Sequence, residues 1–323
     1  MDGRPSPIGR AEVYDSTSPT LANSLFDLLQ TSGKVLGLTR PETLERLGAH
    51  RLNQIFQSDQ LLVPEWDQSG CVAQQIKDWV AENRPEAVLA VGGDGTLNLL
   101  SQVAVQCPVP VVLVPAGTAN DFARGLSESH WDQLRWHPAD IVQVVQPDGK
   151  TNSSFINMLA LGCGARHSTD VDRDTKATWG SLAYLVQAWQ TLGDLQGFRL
   201  KLICDDQEHI FDQAVQLFAA NGRTCGGGYS VADSAKFDDG LLDLVVINQG
   251  TPMEIASFIQ AYLAGTHLEH ELSCHIRCEQ VRIELDAPQA TTLDGEGCEL
   301  ASAELKVLPS QLSIAKMPVA EFY

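Results

Sequence analysis

Hydrophobic residues in the first third of the chain follow two alternating patterns. Short apolar runs with the length and residue content of strands lie at residues 11–14, 34–38, 60–63, 87–91 and 109–114. Apolar residues recur at helical spacing in residues 21–30, 72–82 and 97–105. Strands that alternate with helices indicate a parallel sheet covered by helices.

After about residue 136, apolar and polar residues often alternate one by one, as in the VRIEL of residues 281–285. Strands are predicted at residues 141–145, 155–161, 198–204, 214–220, 241–247, 281–285, 305–308 and 312–315. Two helices are predicted among them, at residues 179–192 and 252–264. This pattern is typical of an antiparallel, β-rich domain.

A chain of 323 residues exceeds the size that one hydrophobic core usually serves. We therefore expect two domains. The first is an α/β domain at residues 1–135, with a parallel sheet flanked by helices. The second is a β-rich antiparallel domain at residues 136–323, whose last residues can return to the first domain.

Acidic residues outnumber basic ones by 41 to 22, for a formal net charge of −19. This excess excludes nucleic acid as an expected partner, since phosphate backbones bind Lys and Arg. No apolar run approaches a membrane span or a signal segment, and the eight cysteines include no CxxC pair, so we expect a cytoplasmic protein. The spacing of Cys274, His275 and Cys278 is not that of a zinc site.

The loop after residues 87–91 reads GGDGTLN, residues 92–98. Glycines let the backbone approach a ligand closely, and a helix start favours an anion. The loop matches neither the GxxxxGK[ST] phosphate loop nor the GxGxxG dinucleotide motif. A tight turn and a phosphate site are equally supported by this loop alone.

A second glycine loop, PAGTANDF at residues 115–122, follows the next predicted strand. In a parallel sheet both loops open at the carboxyl edge, where such sheets bind ligands. The two loops together offer hydroxyl and amide donors, with Asp94 and Asp121 able to bind Mg²⁺ or to order the other groups. Taken singly, Asn120 could be a helix cap and Asp121 a solvated first-turn acid.

GGDGTLN followed by PAGTANDFARGL resembles the catalytic domain of the diacylglycerol kinase family, in its soluble bacterial lipid-kinase branch. The first motif alone is shared with NAD kinases and with sphingosine and ceramide kinases. The likeness extends over residues 85–315 and includes FINM at 155–158, NGRTCGGG at 221–228, KFDDGLL at 236–242 and LDGE at 293–296.

In that family the first glycine loop holds the phosphates of ATP, and the resemblance implies that Asp94 acts through the bridging Mg²⁺. Thr118 would also contact nucleotide. Lys176 matches a lysine near the active-site acids, although taken alone it is more typical of a solvated helix-entry lysine. The residues expected to bind the nucleotide are Gly92, Gly93, Asp94, Gly95, Thr96, Leu97, Asn98, Gly117, Thr118, Asn120 and Asp121.

The family uses the turn at residues 236–241 as a structural Mg²⁺ site. The resemblance therefore implies that Asp239 binds the ion through its side chain, and Lys236 and Leu241 through their carbonyls. The alternative is a simple Asp-Gly hairpin turn before the strand at 241–247.

Glu296 matches the catalytic base of the family, which would accept a proton from the substrate hydroxyl. Asp294, Gly295 and Glu296 could equally form a hairpin turn with the acid exposed at its tip. Residues 15–19 depart from the Asn-Pro-rich loop of the family, and residues 40–60 carry no assignable chemistry.

The resemblance implies an ATP- and Mg²⁺-dependent lipid kinase, with the reaction in the cleft between the two domains and Glu296, Asp94 and Lys176 as catalytic residues. A lipid substrate implies transient contact with a membrane surface, through a small apolar or locally basic face. A homodimer is possible. The alternatives are an NAD kinase and a non-catalytic nucleotide- or lipid-sensing protein on the same scaffold.

Overall fold

The computed structural model describes residues 35–48, 60–64, 72–128, 133–147, 152–162 and 197–317. The strand expected at residues 11–14, the helices expected at 21–30 and 179–192, and Lys176 lie outside them. Within the described ranges, no helix combines the length and the apolar character needed to cross a bilayer.

The N-terminal part of the described chain is built on four parallel strands. Their bounds are β1 (Val35–Thr39), β2 (Leu61–Leu62), β3 (Ala87–Gly92) and β4 (Val111–Pro115). They lie in the order β2-β1-β3-β4. Every residue of β1 and β3 is buried, which explains why their sequences are continuous apolar runs.

Helices pack on both faces of these strands. Their bounds are α1 (Pro41–Leu47), α2 (Val72–Asn83), α3 (Asp94–Ala104) and α4 (Asp121–Arg124). Ile76 of α2 and Leu97 and Leu100 of α3 pack in one core with Val88 and other strand residues. Each such aliphatic side chain stabilises the fold by about 1.5–3 kcal/mol when fully buried. The hydrophobic side chains of α1 pack in the core on the opposite face.

The C-terminal part is dominated by antiparallel strands. Its strands are β5 (His137–Val145), β6 (Asn152–Phe155), β7 (Met158–Gly162), β8 (Phe198–Cys204), β9 (Gln207–Ala220), β10 (Thr224–Cys225), β11 (Tyr229–Ser230), β12 (Leu242–Asn248), β13 (Ser273–Cys278), β14 (Gln280–Leu293) and β15 (Glu296–Lys316). A helix, α5 (Pro252–Leu263), and a 3-10 turn, His267–Glu269, join β12 to β13. The main core of this part includes Phe155, Leu217, Leu244, Ile283 and Leu305.

Strand β15 connects the two parts. Its first half pairs with β14 and its middle pairs with β5, in both cases antiparallel. Its end, Ile314 to Lys316, lies parallel to β4. Thirteen of the described strands, all except the separate β10-β11 pair, therefore form one continuous sheet. Because Glu296 is the first residue of β15, this strand links the predicted base to the sheet that carries the glycine loops.

Several predicted boundaries were wrong for identifiable reasons. Residues 155–161 form two strands, because the backbone turns at Ile156 and Asn157 to bind Asp294. Residues 305–308 and 312–315 belong to one strand, whose register shifts between them where Ser310 has a φ of 52°. This irregularity interrupts the alternation of the sequence. Strand β13 was missed because most of its residues are half-buried and do not alternate.

Candidate active site

The two glycine loops lie side by side at the carboxyl ends of β3 and β4. Gly92 and Pro115 are register partners at the ends of these strands. A Cβ atom on Gly93 would lie 2.8 Å from the Cα of Gly117, and a Cβ on Gly117 would lie 2.4 Å from the Cα of Gly93. Contacts this short exclude any side chain, so the glycines are required because the two backbones touch.

Helix α3 begins inside the first loop, three residues earlier than the sequence predicted. Gly93 is its N-cap residue, and the N–H groups of Thr96 and Leu97 bond to the Gly93 carbonyl. The first N–H groups of a helix have no partner within the helix and carry a partial positive charge. The GGDGT segment thus places this positive end at the carboxyl edge of the sheet, where a phosphate group can bind.

Asp94 joins the two loops. Its carboxylate oxygens accept the N–H groups of Asp121 and Phe122, each at 3.0 Å. These are the first N–H groups of α4, so Asp94 provides the cap that the side chain of Asn120 does not provide. Burial raises the pKa of Asp94 to about 6, against the effect of the two N–H groups, and the charges of Asp121 and Asp294 raise it further.

Asn120 and Asp121 hold the second loop in place. Asn120 has a left-handed backbone, with φ at 51°, and its side chain bonds to the backbone of Pro115 and Gly117. Asp121 is buried, and its carboxylate accepts the N–H groups of Gly227 at 2.9 Å and Gly228 at 2.6 Å. The second loop is therefore tied to the β-rich part.

Three predicted nucleotide-binding residues of the first glycine loop, Thr96, Leu97 and Asn98, have buried side chains. Leu97 is in the hydrophobic core. Asn98 donates to the Ser154 carbonyl and to Asp294, each at 3.0 Å, so its amide binds the protein interior. The Thr96 hydroxyl lies against Gly92, and no hydrogen-bond partner for it occurs in the described part of the chain. Thr118, in contrast, is exposed at the open edge.

Asp294 and Gly295 form the two-residue turn of the hairpin between β14 and β15. Both have positive φ, 48° and 88°, as in the turns typical of tight hairpins. The hairpin alternative was therefore correct as a description of the backbone. The Asp294 carboxylate nevertheless turns inward, where it accepts the amide of Asn98 and three backbone N–H groups at 2.9–3.0 Å. Burial raises the pKa of Asp294 despite these donors.

Glu296 lies directly above the first turn of α3. Its side chain is 55% exposed, and its Oε1 accepts the Nη2 of Arg40 at 2.9 Å, a contact between residues 256 positions apart in sequence. A Cβ atom on Gly95 would lie 2.4 Å from Arg40 Nη2 and 3.0 Å from Glu296 Oε1. The structure therefore brings the predicted base onto the first glycine loop.

Arg40 is a site residue that the sequence prediction missed. It directly follows β1, which lies beside β3, so it emerges at the same edge as the glycine loops. The position of a polar residue immediately after a buried run was the available signal. Residues 40–60, which were assigned no chemistry, thus contribute a cation to the site. Lys176, the other predicted cation, is outside the described residues.

The turn at residues 236–241 does not fit a divalent metal ion. The Oδ2 of Asp239 accepts the Nη2 of Arg277 at 2.5 Å, and its Oδ1 accepts the N–H of Leu241 at 3.2 Å. The Gly240 N–H bonds to Asp140. At about 4 Å and an effective dielectric constant of about 20, a guanidinium repels a divalent ion by roughly 8 kcal/mol. The Asp-Gly hairpin alternative is also wrong, because β11 pairs with β10 and β12 pairs with β9 and β13.

Comparisons with known proteins identify two family domains in the chain. The diacylglycerol kinase catalytic domain matches residues 42–151, and the YegS C-terminal NAD kinase beta sandwich-like domain matches residues 157–316. The first match contains both glycine loops, and the second contains Glu296.

Similar individual proteins have been described. The lipid kinase YegS of Escherichia coli (strain K12) is 30% identical over 234 residues, which cover 70% of this chain and 76% of that protein. A probable lipid kinase YegS-like of Citrobacter koseri is 30% identical over 251 residues, 74% of this chain and 81% of that protein. A crystal structure of a diacylglycerol kinase from Bacillus anthracis str. Sterne has a TM-score of 0.63 at 21% identity, covering 87% of this chain and 96% of that one. At that identity the structural likeness concerns the fold.

Proposed function

Because the chain belongs to the diacylglycerol kinase catalytic-domain family, in the branch of the lipid kinase YegS, and is a lipid kinase, we propose that it transfers the γ-phosphate of ATP to a hydroxyl group of a glycerolipid or sphingolipid such as diacylglycerol. The observation that carries the proposal is the contact between Glu296 and Arg40 above Gly95. This contact supports a proton acceptor and a positive charge at one point, which phosphoryl transfer to an alcohol requires.

The phosphates of ATP would lie against the two glycine loops. The N–H groups at the start of α3 support this position, because they are directed to the edge where Gly93 and Gly117 meet. Thr118 is exposed there and can donate its hydroxyl. Leu97 and Asn98 would act by holding α3 in the protein, since their side chains are buried.

Mg²⁺ would accompany the nucleotide and neutralise phosphate charge when bound. Asp94 and Asp121 are the residues that would hold it. They suit a cation because Asp94 is half-buried beside the negative charges of Asp121 and Asp294. Each Asp94 oxygen accepts one of the two backbone N–H groups, and a carboxylate oxygen has capacity for more than one bond.

Glu296 would accept the proton of the lipid hydroxyl as that oxygen forms a bond to the γ-phosphorus and the bond to ADP breaks. Its exposure allows a lipid hydroxyl to reach it, and Asp294 fixes the turn from which it projects. Arg40 would hold Glu296 in the free enzyme and face the transferring phosphate during the reaction. Glu296 and Arg40 would thus position the two reacting groups over Gly95.

The decisive measurement is transfer of label from γ-labelled ATP to diacylglycerol, phosphatidylglycerol, sphingosine, ceramide and NAD in parallel. We expect a lipid to be labelled and NAD not to be. Glu296→Gln should lower turnover by about 10²–10⁴-fold while nucleotide binding is retained. Glu299→Gln, an exposed acid on the same strand, should leave turnover unchanged. Labelling of NAD alone, or full activity of the Glu296 variant, would contradict the proposal.

Arg40 can be tested in the same assay. Arg40→Gln should lower kcat by about 10-fold or more, because it removes a charge that is used in the transition state. Arg46→Gln, on the exposed face of α1, is the matched control. Equal activity of the two variants would remove Arg40 from the site.

The lipid acceptor also implies contact with a membrane surface. Helix α5 supports this part of the proposal, because Met253 and Leu263 are 84% and 58% exposed. Its one charged residue, Glu254, is engaged in the capping box with Thr251. In a protein of net charge −19, this helix, which carries a single charged side chain, is a surface that an anionic bilayer repels only weakly.

A further inference from the structure

The turn at residues 236–241 supports the second glycine loop. The ring of Phe237 packs on Phe122 of α4, with ring centroids 5.3 Å apart. A Cβ atom on Gly125 would lie 3.2 Å from the same Phe237 ring. Since α4 begins at the second glycine loop, whatever holds this turn also holds one side of the nucleotide site.

Acidic side chains surround this turn. Asp140 is buried and accepts the N–H groups of Gly240 and Ser310, each at 2.7 Å. Asp239 lies within the turn. Asp243, the second residue of β12, is fully buried. Carboxylates gathered at a buried point require a positive charge or several donors.

Arg277 supplies that positive charge. It lies on β13 directly opposite Asp243. Its Nη2 donates to Asp239 at 2.5 Å and its Nε donates to Asp243 at 3.4 Å, so one guanidinium bridges both acids. His275 and Ser234 complete the contacts of Asp243, each at 2.6 Å. Asp239 thus differs from Asp94, because one of its oxygens contacts a guanidinium, whose positive charge opposes a divalent ion, whereas the oxygens of Asp94 contact uncharged N–H groups.

We propose that Arg277 is the built-in cation of this turn, in the place where the family resemblance implied a structural Mg²⁺. The turn is held by a covalently attached charge, so its order does not depend on the concentration of free metal. If the turn needs no metal, the Mg²⁺ requirement of the reaction belongs to the nucleotide alone. This consequence rests on the proposed function.

The test is thermal unfolding of the full chain without nucleotide or lipid, in excess EDTA and in excess MgCl₂. We expect the same Tm for the unchanged protein in both solutions. Arg277→Met should lower Tm by about 4–10 °C, because it removes the guanidinium partner of buried Asp243, which then keeps only His275 and Ser234. Arg199→Met is the matched control. It breaks an exposed pair with Asp212, 3.6 Å apart, and should shift Tm by no more than about 2 °C.

Two results would overturn the inference. The first is a Tm of the unchanged protein that falls in EDTA and recovers with MgCl₂. The second is an Arg277→Met variant as stable as the Arg199→Met control. If Arg277→Met does not fold, Arg277→Lys keeps the charge and should be indifferent to EDTA. These readings involve neither ATP nor lipid, so they stand or fall separately from the kinase assay.

Discussion

The four acids around the glycine loops differ in what their oxygens bind. Asp94 accepts two N–H groups of α4, Asp121 accepts those of Gly227 and Gly228, and Asp294 accepts four donors. Each of these carboxylates therefore holds two segments together. Glu296 projects to solvent and contacts one arginine side chain, Arg40. At the level of single residues, this difference separates the three acids that hold segments together from Glu296, the base that we propose, whose carboxylate a substrate hydroxyl can reach.

Asp94 should make stability depend on pH. Its pKa in the folded protein is about 6, above the ordinary 3.8, so the folded state holds this proton more tightly. The stability that protonated Asp94 contributes is present at about pH 4 and is lost as pH rises towards about 7. Asp94→Asn removes this loss. Relative to the unchanged protein, the variant should therefore gain about 1–2 kcal/mol in free energy of unfolding across that range.

Urea unfolding of both proteins at the two ends of that pH range measures the effect. Asp212→Asn, an acid that is 82% exposed, is the control and should show no such gain. A gain for Asp94→Asn equal to that of the control would mean that burial does not raise the pKa of Asp94. The comparison between variants cancels the contributions of the acids that do not interact with Asp94.

At the level of elements, α3 and the two glycine loops act as one unit. The helix starts at Asp94 because Gly93 has an extended backbone that ends the strand and leaves its carbonyl free to accept the first bonds of the helix. The sequence prediction began the helix at Leu97, since the apolar spacing starts there. Apolar spacing reports burial, whereas a helix start depends on backbone geometry, so the glycine-rich first turn was assigned to a loop.

Gly117→Ala tests whether the two loops must touch. Its Cβ would lie 2.4 Å from the Gly93 Cα, a backbone atom that cannot move without shifting α3. We expect kcat/KM for ATP to fall by about 10–100-fold, the usual effect of moving a binding element by about 1 Å. Gly125→Ala should have a smaller effect, since its Cβ would lie 3.2 Å from the edge of the Phe237 ring and 3.5 Å from the Phe122 carbonyl oxygen, and a ring edge can shift. Equal kinetics for the two variants would show that the loops can separate without consequence.

At the level of the whole molecule, the proposed function requires a strongly acidic protein to reach a lipid substrate. Its net charge of −19 disfavours contact with anionic bilayers, and the exposed apolar residues of α5 form the contact that we propose. Replacing Met253 and Leu263 together by Ser should lower binding to lipid vesicles by about 10–100-fold, given about 1.5–3 kcal/mol for each fully buried apolar side chain. Co-sedimentation with phosphatidylglycerol-containing vesicles measures this directly.

The control for this experiment is Ile210→Ser, which removes an exposed apolar residue on β9. It should leave vesicle binding unchanged. The Met253/Leu263 double variant and the Ile210→Ser variant should both retain activity on a short-chain lipid in detergent, because that assay needs no bilayer. Vesicle binding that is insensitive to the α5 double change would place the membrane contact elsewhere.

Elements in which the pattern of apolar residues matches the buried positions could be predicted from the sequence. The strands at 87–91 and 198–204, and the helix α2, were predicted within one or two residues. Local composition suffices for these elements and for the two glycine loops, because apolar periodicity and glycine content follow directly from the environment of each segment. Glu296, in contrast, was implied by the family resemblance.

Contacts between residues that are distant in sequence became visible only in the folded structure. Arg40 reaches Glu296 across 256 positions, and Asp294 binds the turn at Ile156 and Asn157, because β15 carries the end of the chain back beside β4. Arg277 was invisible as the partner of Asp239, since that contact depends on the pairing of β13 with β12. Such contacts depend on strand register and on charges brought together from distant segments, and no local pattern of residues encodes either.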